Sequence, residues 1–135
     1  MLSVRWVAAL SWQGLAATVE ALYPENDLGV PDHRETELDA RIRGYLELLP
    51  ARQRALLVLL FAAAELAGPL LVGRFSRLSR LPPDARVAVV RSLRSSSLGV
   101  SRLLGDALKA TTTLLYASHP ATLEYLERAA PPRSA

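Results

Sequence analysis

Residues 73–126 read GRFSRLSRLPPDARVAVVRSLRSSSLGVSRLLGDALKATTTLLYASHPATLEYL, and the order of signals in this stretch decides the fold class. After a short arginine-rich element, Pro-Pro-Asp at 82–84 is a typical helix start, because proline fits the first turn and an acid is stabilised at the positive end of a helix. The serines at 95–97 interrupt the helix that follows, and Pro120 opens a short last helix after a long one. The stretch therefore predicts a succession of helices without strands.

The two longer helices of this stretch carry apolar side chains at helical spacing, which predicts the faces they bury. In the first helix we expect the valines to face the core and the arginines to face solvent: Val87, Val89 and Val90 against Arg86, Arg91 and Arg94. In the second helix we expect the core stripe to run along Val100, Leu103, Leu104, Ala107, Leu108, Thr111, Leu114 and Leu115.

The N-terminal half is divided by its prolines in the same way. Ser11 is a candidate cap for a first helix, which Pro24 ends. Thr36 and Asp39 have the spacing of a capping box with the shorter acid, and the second helix that they begin stops at Pro50.

The run from Ala55 to Val72 is almost entirely apolar. A helix that is apolar all round usually lies in the middle of a bundle. The run approaches the roughly 20 residues that cross a bilayer, but Glu65 and the Gly68-Pro69 pair interrupt it, so a buried helix that kinks or ends at this pair is favoured over a membrane span or an interfacial segment. Glu65 is then expected to be buried, which requires an arginine partner or a raised pKa. We also expect a leucine to be tolerated in its place.

Length and composition indicate a single all-α domain, a helical bundle of about five main helices plus short ones. The chain has 135 residues, half of them hydrophobic, which is enough for one core and for an interface as well. We expect the domain to cover residues 1–128 and residues 129–135 to form a disordered tail. Residues 1–13 contain one arginine and too short an apolar run for an export signal, so a cytoplasmic protein is predicted, with peripheral membrane association as the alternative.

The inventory of reactive side chains indicates a protein that is not an enzyme. Without cysteine, the chain has no thiolate chemistry, iron–sulfur cluster or disulfide. The group Asp32, His33, Glu35 and Glu37 is too loosely spaced for a metal site and fits an acidic helix start better. Ser118 and His119 lack an accompanying acid and oxyanion loop. We therefore expect no catalytic, metal or cofactor site in this chain.

A helix-turn-helix is a further possibility. The segment 96–110, SSLGVSRLLGDALKA, resembles the turn that leads into a DNA-recognition helix. Arg94 and Gly105 stand where that motif needs apolar residues, and the net charge of +3 is small for a dedicated nucleic-acid binder. A DNA-binding protein therefore stays open only as an alternative.

A family resemblance covers residues 11–126. The order Arg-Phe-Ser-Arg-Leu, Leu-Pro-Pro-Asp-Ala-Arg, a basic helix and a long helix ending near Tyr116 and Pro120 resembles the small-subunit family named for gluconate 2-dehydrogenase subunit 3. It is also similar to the helical N-terminal region of long-chain fatty alcohol oxidases. The chain departs from many relatives at Leu93, where they carry tryptophan, at Glu124-Tyr125, where they carry Gly-Tyr, and in having no twin-arginine signal.

The resemblance implies an accessory subunit without a cofactor of its own. Such a subunit binds and stabilises a large FAD-dependent dehydrogenase of the glucose-methanol-choline type, which acts on alcohols or sugars and holds the FAD and the catalytic residues. The expected contact residues are aromatic and arginine side chains, the types enriched at interfaces: Arg74, Phe75, Arg77 and Arg80, with Trp6 and Trp12 as weaker candidates.

Overall fold

Most helices begin or end near proline, serine or glycine residues. The structure, a computed structural model, describes the backbone of residues 2–129 and the side chains of residues 5–129. It is 76% helical, with six α-helices and no strand in the described range, which confirms the predicted all-α bundle. The helices are α1 (Leu2–Leu22), α2 (Leu38–Leu48), α3 (Ala51–Leu71), α4 (Pro83–Ser95), α5 (Gly99–Ala117) and α6 (Pro120–Ala129), with a 3₁₀ turn at Leu78–Arg80. Apart from Ala129, which ends α6, the expected tail at 129–135 lies outside the described residues.

The core is built around the contact between α1 and α3, the most extensive in the bundle. Gly14 lets the two helices approach, because a Cβ at this position would overlap the carbonyl oxygen of Phe61. Around this crossing, fully buried side chains come from α1, α2, α3, α4 and α5: Leu15, Val19, Leu38, Ile42, Leu46, Phe61, Val89, Leu93 and Leu108.

A second close crossing joins α4 to α5. A Cβ at Gly105 would lie 2.7 Å from Arg94 Cγ and 2.9 Å from the Arg94 backbone nitrogen. Gly105 is therefore a packing residue of the bundle, which explains why no apolar side chain stands there.

Several helix ends differ from their predicted positions. Ser11 does not cap α1, because the helix already begins at Leu2 and Ser11 is buried within it. Thr36 does not form a capping box either, since its hydroxyl donates to the Asp32 carbonyl. Instead the Asp32 carboxylate accepts the backbone N–H groups of the two residues 34 and 35. Pro69 is contained in α3, which continues to Leu71.

The faces of three helices also differ from prediction. On α5 the predicted stripe is buried only in part: Leu108 is fully buried and Leu104 and Leu115 pack against the core, whereas Leu103 and Leu114 are 69% and 66% exposed. The other buried positions of α5 are Ser101, Gly105 and Thr112. On α3 the leucines of one face are exposed, so this helix is not buried all round. On α4, Arg86 points inward and pairs with Glu20 at 2.5 Å.

Two stacked tyrosines join the end of α1 to the end of α5. The Tyr23 and Tyr116 ring centroids lie 4.0 Å apart, and the Tyr116 hydroxyl donates to the Pro31 carbonyl at 2.7 Å. Burial raises the pKa of the Tyr116 phenol above its ordinary value of 10.0, and the neighbouring Tyr23 adds to the shift.

We expect Tyr116 to make the fold sensitive to alkali. Because the folded state holds the phenolic proton to a higher pH than the unfolded state, the free energy of unfolding falls as pH rises above about 10 and is insensitive to this group below it. Tyr116→Phe should weaken this alkaline loss and cost about 1 kcal/mol at neutral pH through the lost hydrogen bond. Urea unfolding at pH 7 to 11 measures both the cost at neutral pH and the alkaline loss of stability. Tyr45→Phe, at a partly exposed tyrosine, is the control. An unchanged alkaline profile in Tyr116→Phe would contradict the assignment.

Candidate partner-binding surface

One face of α3 presents leucines to solvent. Leu56 is 67% exposed, and the same face continues at helical spacing through Leu59, Leu66 and Leu70, all exposed. The helix is long and apolar enough to span a membrane: its most apolar 18 residues have a mean hydropathy of 1.8, and 33% of them are buried. Buried helices of soluble proteins reach the same hydropathy, but here the apolar excess lies on the outside of the bundle.

The buried face of α3 consists mostly of small or special side chains. Ala62, Ala64, Gly68 and Pro69 lie inward together with Phe61 and Glu65. Gly14 of α1 meets this face at the Phe61 backbone and at Glu65 Cβ. The small side chains lie on this inner face, and the leucines lie on the outer one. Sequence reasoning missed the leucine face, although the alternation of small and large apolar residues was a usable signal.

The segment 72–80, which contains the predicted arginine-rich element, turns back over the end of α3. Gly73 has φ +82, a left-handed conformation that favours glycine, and so ends the helix. The backbone N–H of Arg74 donates to the Pro69 carbonyl at 2.8 Å. Further on, Leu78 is buried in the core. These fixed points leave Phe75 at the tip of the turn, where it is 94% exposed.

Glu65 holds this segment against the bundle. Its side chain is fully buried, as the sequence predicts, and the expected arginine partner is Arg77, whose Nε lies 3.1 Å from Glu65 Oε1. The backbone N–H of Ser79 donates to Oε2 at 3.1 Å, and the Ser79 hydroxyl also bonds to the carboxylate. A leucine at position 65 would leave the Ser79 N–H without this acceptor, so we no longer expect the substitution to be tolerated.

The four candidate contact residues of this segment therefore fall into two groups. Arg77 is engaged inside the protein, with Glu65 and with the side-chain oxygen of Gln13. Arg74 and Arg80 are exposed, and neither forms an ion pair with a side chain that the structure describes. Phe75 lies between them, so an aromatic side chain and two free guanidinium groups share one turn.

A shallow cleft of about 390 Å³ lies between this turn and the end of α3. Its lining combines two α3 leucines with the turn: Leu66, Leu70, Phe75, Ser76, Arg77 and Arg80. The α3 leucines, this cleft, Phe75, Arg74 and Arg80 are called the α3 surface below. It has the composition of an interface core, with apolar side chains beside aromatic and arginine anchors.

The two tryptophans differ in their surroundings. Trp12 is half-buried, and the Arg43 guanidinium lies 4.8 Å from its ring centroid. This cation–π contact gives Trp12 a role within the bundle. Trp6 is 62% exposed on α1 and has no such contact among the described side chains.

The other sequence candidates take part in local structure. No group of three His, Asp or Glu side chains able to hold a metal ion occurs in the described range. Asp32 caps its own turn through the two backbone bonds described above. His119 Nδ1 accepts the backbone N–H of Ala121 at 3.0 Å at the start of α6, and the Ser118 hydroxyl accepts from Arg41.

The segment 96–110 places a turn and a helix where a helix-turn-helix would need them, but its surface is not that of a recognition helix. We expected Leu103 to be buried, and it is exposed instead. The exposed N-terminal half of α5 carries Val100 and Leu103 with one arginine, Arg102, and one acid, Asp106. DNA recognition uses basic and amide side chains on this face, and Arg102 is the only exposed side chain of either kind in this half of the helix.

Comparison of the chain with known protein families, with curated proteins and with solved structures finds no match.

Proposed function

We propose that this chain is a non-catalytic accessory subunit that binds and stabilises a large FAD-dependent dehydrogenase of the glucose-methanol-choline type. The observation that carries the proposal is the α3 surface, a continuous apolar face that ends at an almost fully exposed phenylalanine. Exposed apolar patches beyond a few hundred Å² generally mark interaction sites. The nature of the partner comes from the sequence resemblance.

The charges beside the apolar face indicate how the partner is oriented. Arg74 and Arg80 stand on either side of Phe75 with no described acid to neutralise them. Arginine forms bidentate pairs with carboxylates, so the complementary surface should place acidic side chains around an apolar pocket for Phe75. The small subunit acts by covering apolar surface of the large one, and the FAD and the catalytic residues belong to the partner.

Co-expression with a candidate large subunit tests the proposal. We expect the two chains to elute together on size-exclusion chromatography, in a peak with flavin absorbance. A variant with three substitutions, Leu59→Asp, Leu70→Asp and Phe75→Ser, tests the α3 surface. Its affinity for the large subunit should be about tenfold to hundredfold lower, because buried apolar anchors dominate binding free energy. Isothermal titration with the purified large subunit gives the change in affinity.

A matched control uses a different exposed apolar face. Leu103→Asp and Leu114→Asp on α5 introduce the same charges at leucines that are at least as exposed, and should leave the affinity within about twofold. Circular dichroism checks that both sets remain folded. Equal weakening by both sets, or a wild-type chain that leaves the dehydrogenase's yield and activity unchanged, would contradict the proposal.

Two further measurements test the alternatives, a membrane-associated protein and a DNA-binding protein. Co-sedimentation with anionic phospholipid vesicles, lost on substitution of Leu59 and Leu70, would assign the α3 surface to a membrane. Sub-micromolar, sequence-selective binding to duplex DNA would assign the α4–α5 segment to DNA recognition. Either result without binding to the dehydrogenase would replace the accessory-subunit proposal.

A further inference from the structure

A second concave feature lies apart from the α3 surface, where the end of α1 meets the last turns of α4 and the middle of α5. Its volume is about 350 Å³, within the range of roughly 300–1,000 Å³ that small-molecule sites occupy. Its lining residues are Ala21, Leu22, Val87, Val90, Arg91, Arg94, Ser95 and Lys109. We call it the basic cleft.

The charges in the basic cleft all have one sign. Arg91 and Arg94 are three residues apart and therefore lie on one face of α4, and Lys109 joins them from α5. No acid is among the lining residues. Cationic groups gathered around a concavity with low-dielectric walls raise the local concentration of anions.

Two packing contacts hold these cationic side chains near the cleft. The stem of Arg94 lies against Gly105, where the backbones of α4 and α5 approach. Lys109 Nζ lies 4.5 Å from the centroid of the Tyr23 ring, a cation–π contact that limits its freedom. Pre-positioned side chains lose less conformational entropy when a ligand binds.

Acidic side chains of the protein compete only weakly with a ligand for these arginines. Arg94 Nε lies 3.5 Å from Asp106 Oδ1, and both side chains are about half exposed, at 46% and 63%. Exposed pairs of this kind contribute little, so the guanidinium remains able to bind an anion. Arg91 forms no ion pair with a described side chain.

The wall of the cleft between the charges is apolar. Ala21 and Val90 are buried, and Leu22 and Val87 are half-buried. A ligand that places only an anionic head group against the arginines would leave this wall exposed to solvent. A short apolar body would cover it and gain the free energy of burying apolar surface.

The neighbouring cleft has a mixed lining. It shares Val87 with the basic cleft but contains three acids, Glu20, Glu25 and Asp84, beside Arg34 and His33. Two of these acids are already paired, Glu20 with Arg86 and Glu25 with Arg34. Asp84 forms no ion pair with a described side chain, so the unpaired charge of this second cleft is acidic and an anion is favoured in the basic cleft instead.

From these observations we propose that the basic cleft binds a small organic anion, a carboxylate or phosphate head group carried on a short apolar body. Arg91, Arg94 and Lys109 bind the head group, and Val87, Val90 and Leu22 contact the body. The site is separate from the α3 surface and needs no partner chain.

Isothermal titration of the isolated chain tests the site with four probes: hexanoate, hexyl phosphate, inorganic phosphate and hexanol. We expect saturable 1:1 binding of at least one amphiphilic anion, weaker binding of inorganic phosphate and none of hexanol. The stronger of the two amphiphilic anions identifies the head group. Binding of hexanol as strong as that of the anions, or saturable binding of none of the four probes, would overturn the proposal.

Paired arginine substitutions separate a built site from general attraction to a basic protein. Arg91→Gln with Arg94→Gln should weaken anion binding about tenfold or more, since charge-assisted hydrogen bonds are lost. Arg74→Gln with Arg80→Gln removes the same charge on the α3 surface and should change the affinity less than about twofold, as expected for charges that are far apart and screened. Equal weakening by both pairs would overturn the proposal.

Amide chemical shifts locate the ligand directly. Titration of a ¹⁵N-labelled chain with the tighter anion should move the resonances of Ser95 and Lys109 and leave that of Phe75 in place. Shifts confined to other parts of the bundle would also overturn the assignment. Since the isolated chain is used, failure here leaves the dehydrogenase proposal untouched, and the reverse holds as well.

Discussion

Replacement of Arg77 by alanine is expected to lower the free energy of unfolding by about 3 kcal/mol, because removing one partner of a buried ion pair leaves a charge uncompensated. Glu65 is fully buried, and Arg77 is its only cationic partner in the described range. Two bonds from Ser79 remain, but they do not supply a positive charge. Chemical denaturation, monitored by circular dichroism, measures the loss.

Two comparisons make this prediction specific. Arg80→Ala removes an exposed arginine from the same turn and should change the stability by no more than about 0.5 kcal/mol. Adding Glu65→Gln to Arg77→Ala removes the stranded charge while keeping a hydrogen-bonding side chain, so the double variant should be more stable than Arg77→Ala alone. If Arg77→Ala and Arg80→Ala have equal effects, Glu65 does not depend on Arg77.

The consequence for binding studies is that Arg77 should not be used to test the partner surface. We expected from the sequence that Arg77 and Arg80 act alike, as contact residues. The structure separates them: a loss of partner binding in an Arg77 variant would follow from a loosened 73–80 segment, whereas Arg74, Phe75 and Arg80 can be changed without disturbing Glu65.

The second large effect is expected at Gly14. Gly14→Ala should lower the free energy of unfolding by about 3 kcal/mol, at the upper end of the usual cost of overpacking. The added Cβ would overlap the Phe61 carbonyl oxygen and lie 3.1 Å from Glu65 Cβ. Because a backbone atom is in the way, the clash is relieved only if α1 and α3 move apart along their whole contact.

Gly44→Ala is the matched control for this change. Gly44 also lies within a helix, but a Cβ there meets nothing within 4 Å. Alanine is a better helix former than glycine by roughly 0.5–1 kcal/mol, so this variant should be slightly more stable than the wild type. The thermal and urea unfolding midpoints should therefore fall in Gly14→Ala and rise slightly in Gly44→Ala, relative to the wild type. Midpoints that shift in the same direction in both variants would argue against the close α1–α3 crossing.

The helix boundaries in the second half of the chain follow from local sequence. Pro82-Pro83 precedes and starts α4, the serine run that begins at the last residue of α4 separates this helix from α5, and Pro120 starts α6, as predicted. These are local effects, because proline lacks a backbone N–H and restricts φ whatever surrounds it. The sequence also predicted that Glu65 is buried and therefore needs an arginine partner or a raised pKa, since a carboxylate inside an apolar helix requires compensation wherever the helix packs. It did not identify which arginine.

Which face of each apolar helix is buried depends on how the helices pack against one another. The burial of apolar surface has no direction of its own, and α3 and α5 are each apolar on more than one side. On α5 the leucine stripe through Leu103 was predicted to face the core, but the bundle buries Ser101 and Gly105 and leaves Leu103 in solvent. Close crossings such as Gly14 against Phe61 and Gly105 against Arg94 select the small side chains, because only those let two backbones approach. Leu56, Leu59, Leu66 and Leu70 of α3 lie on the face opposite to the close contact with α1 and are exposed, and the surface proposed to bind the partner results from this packing.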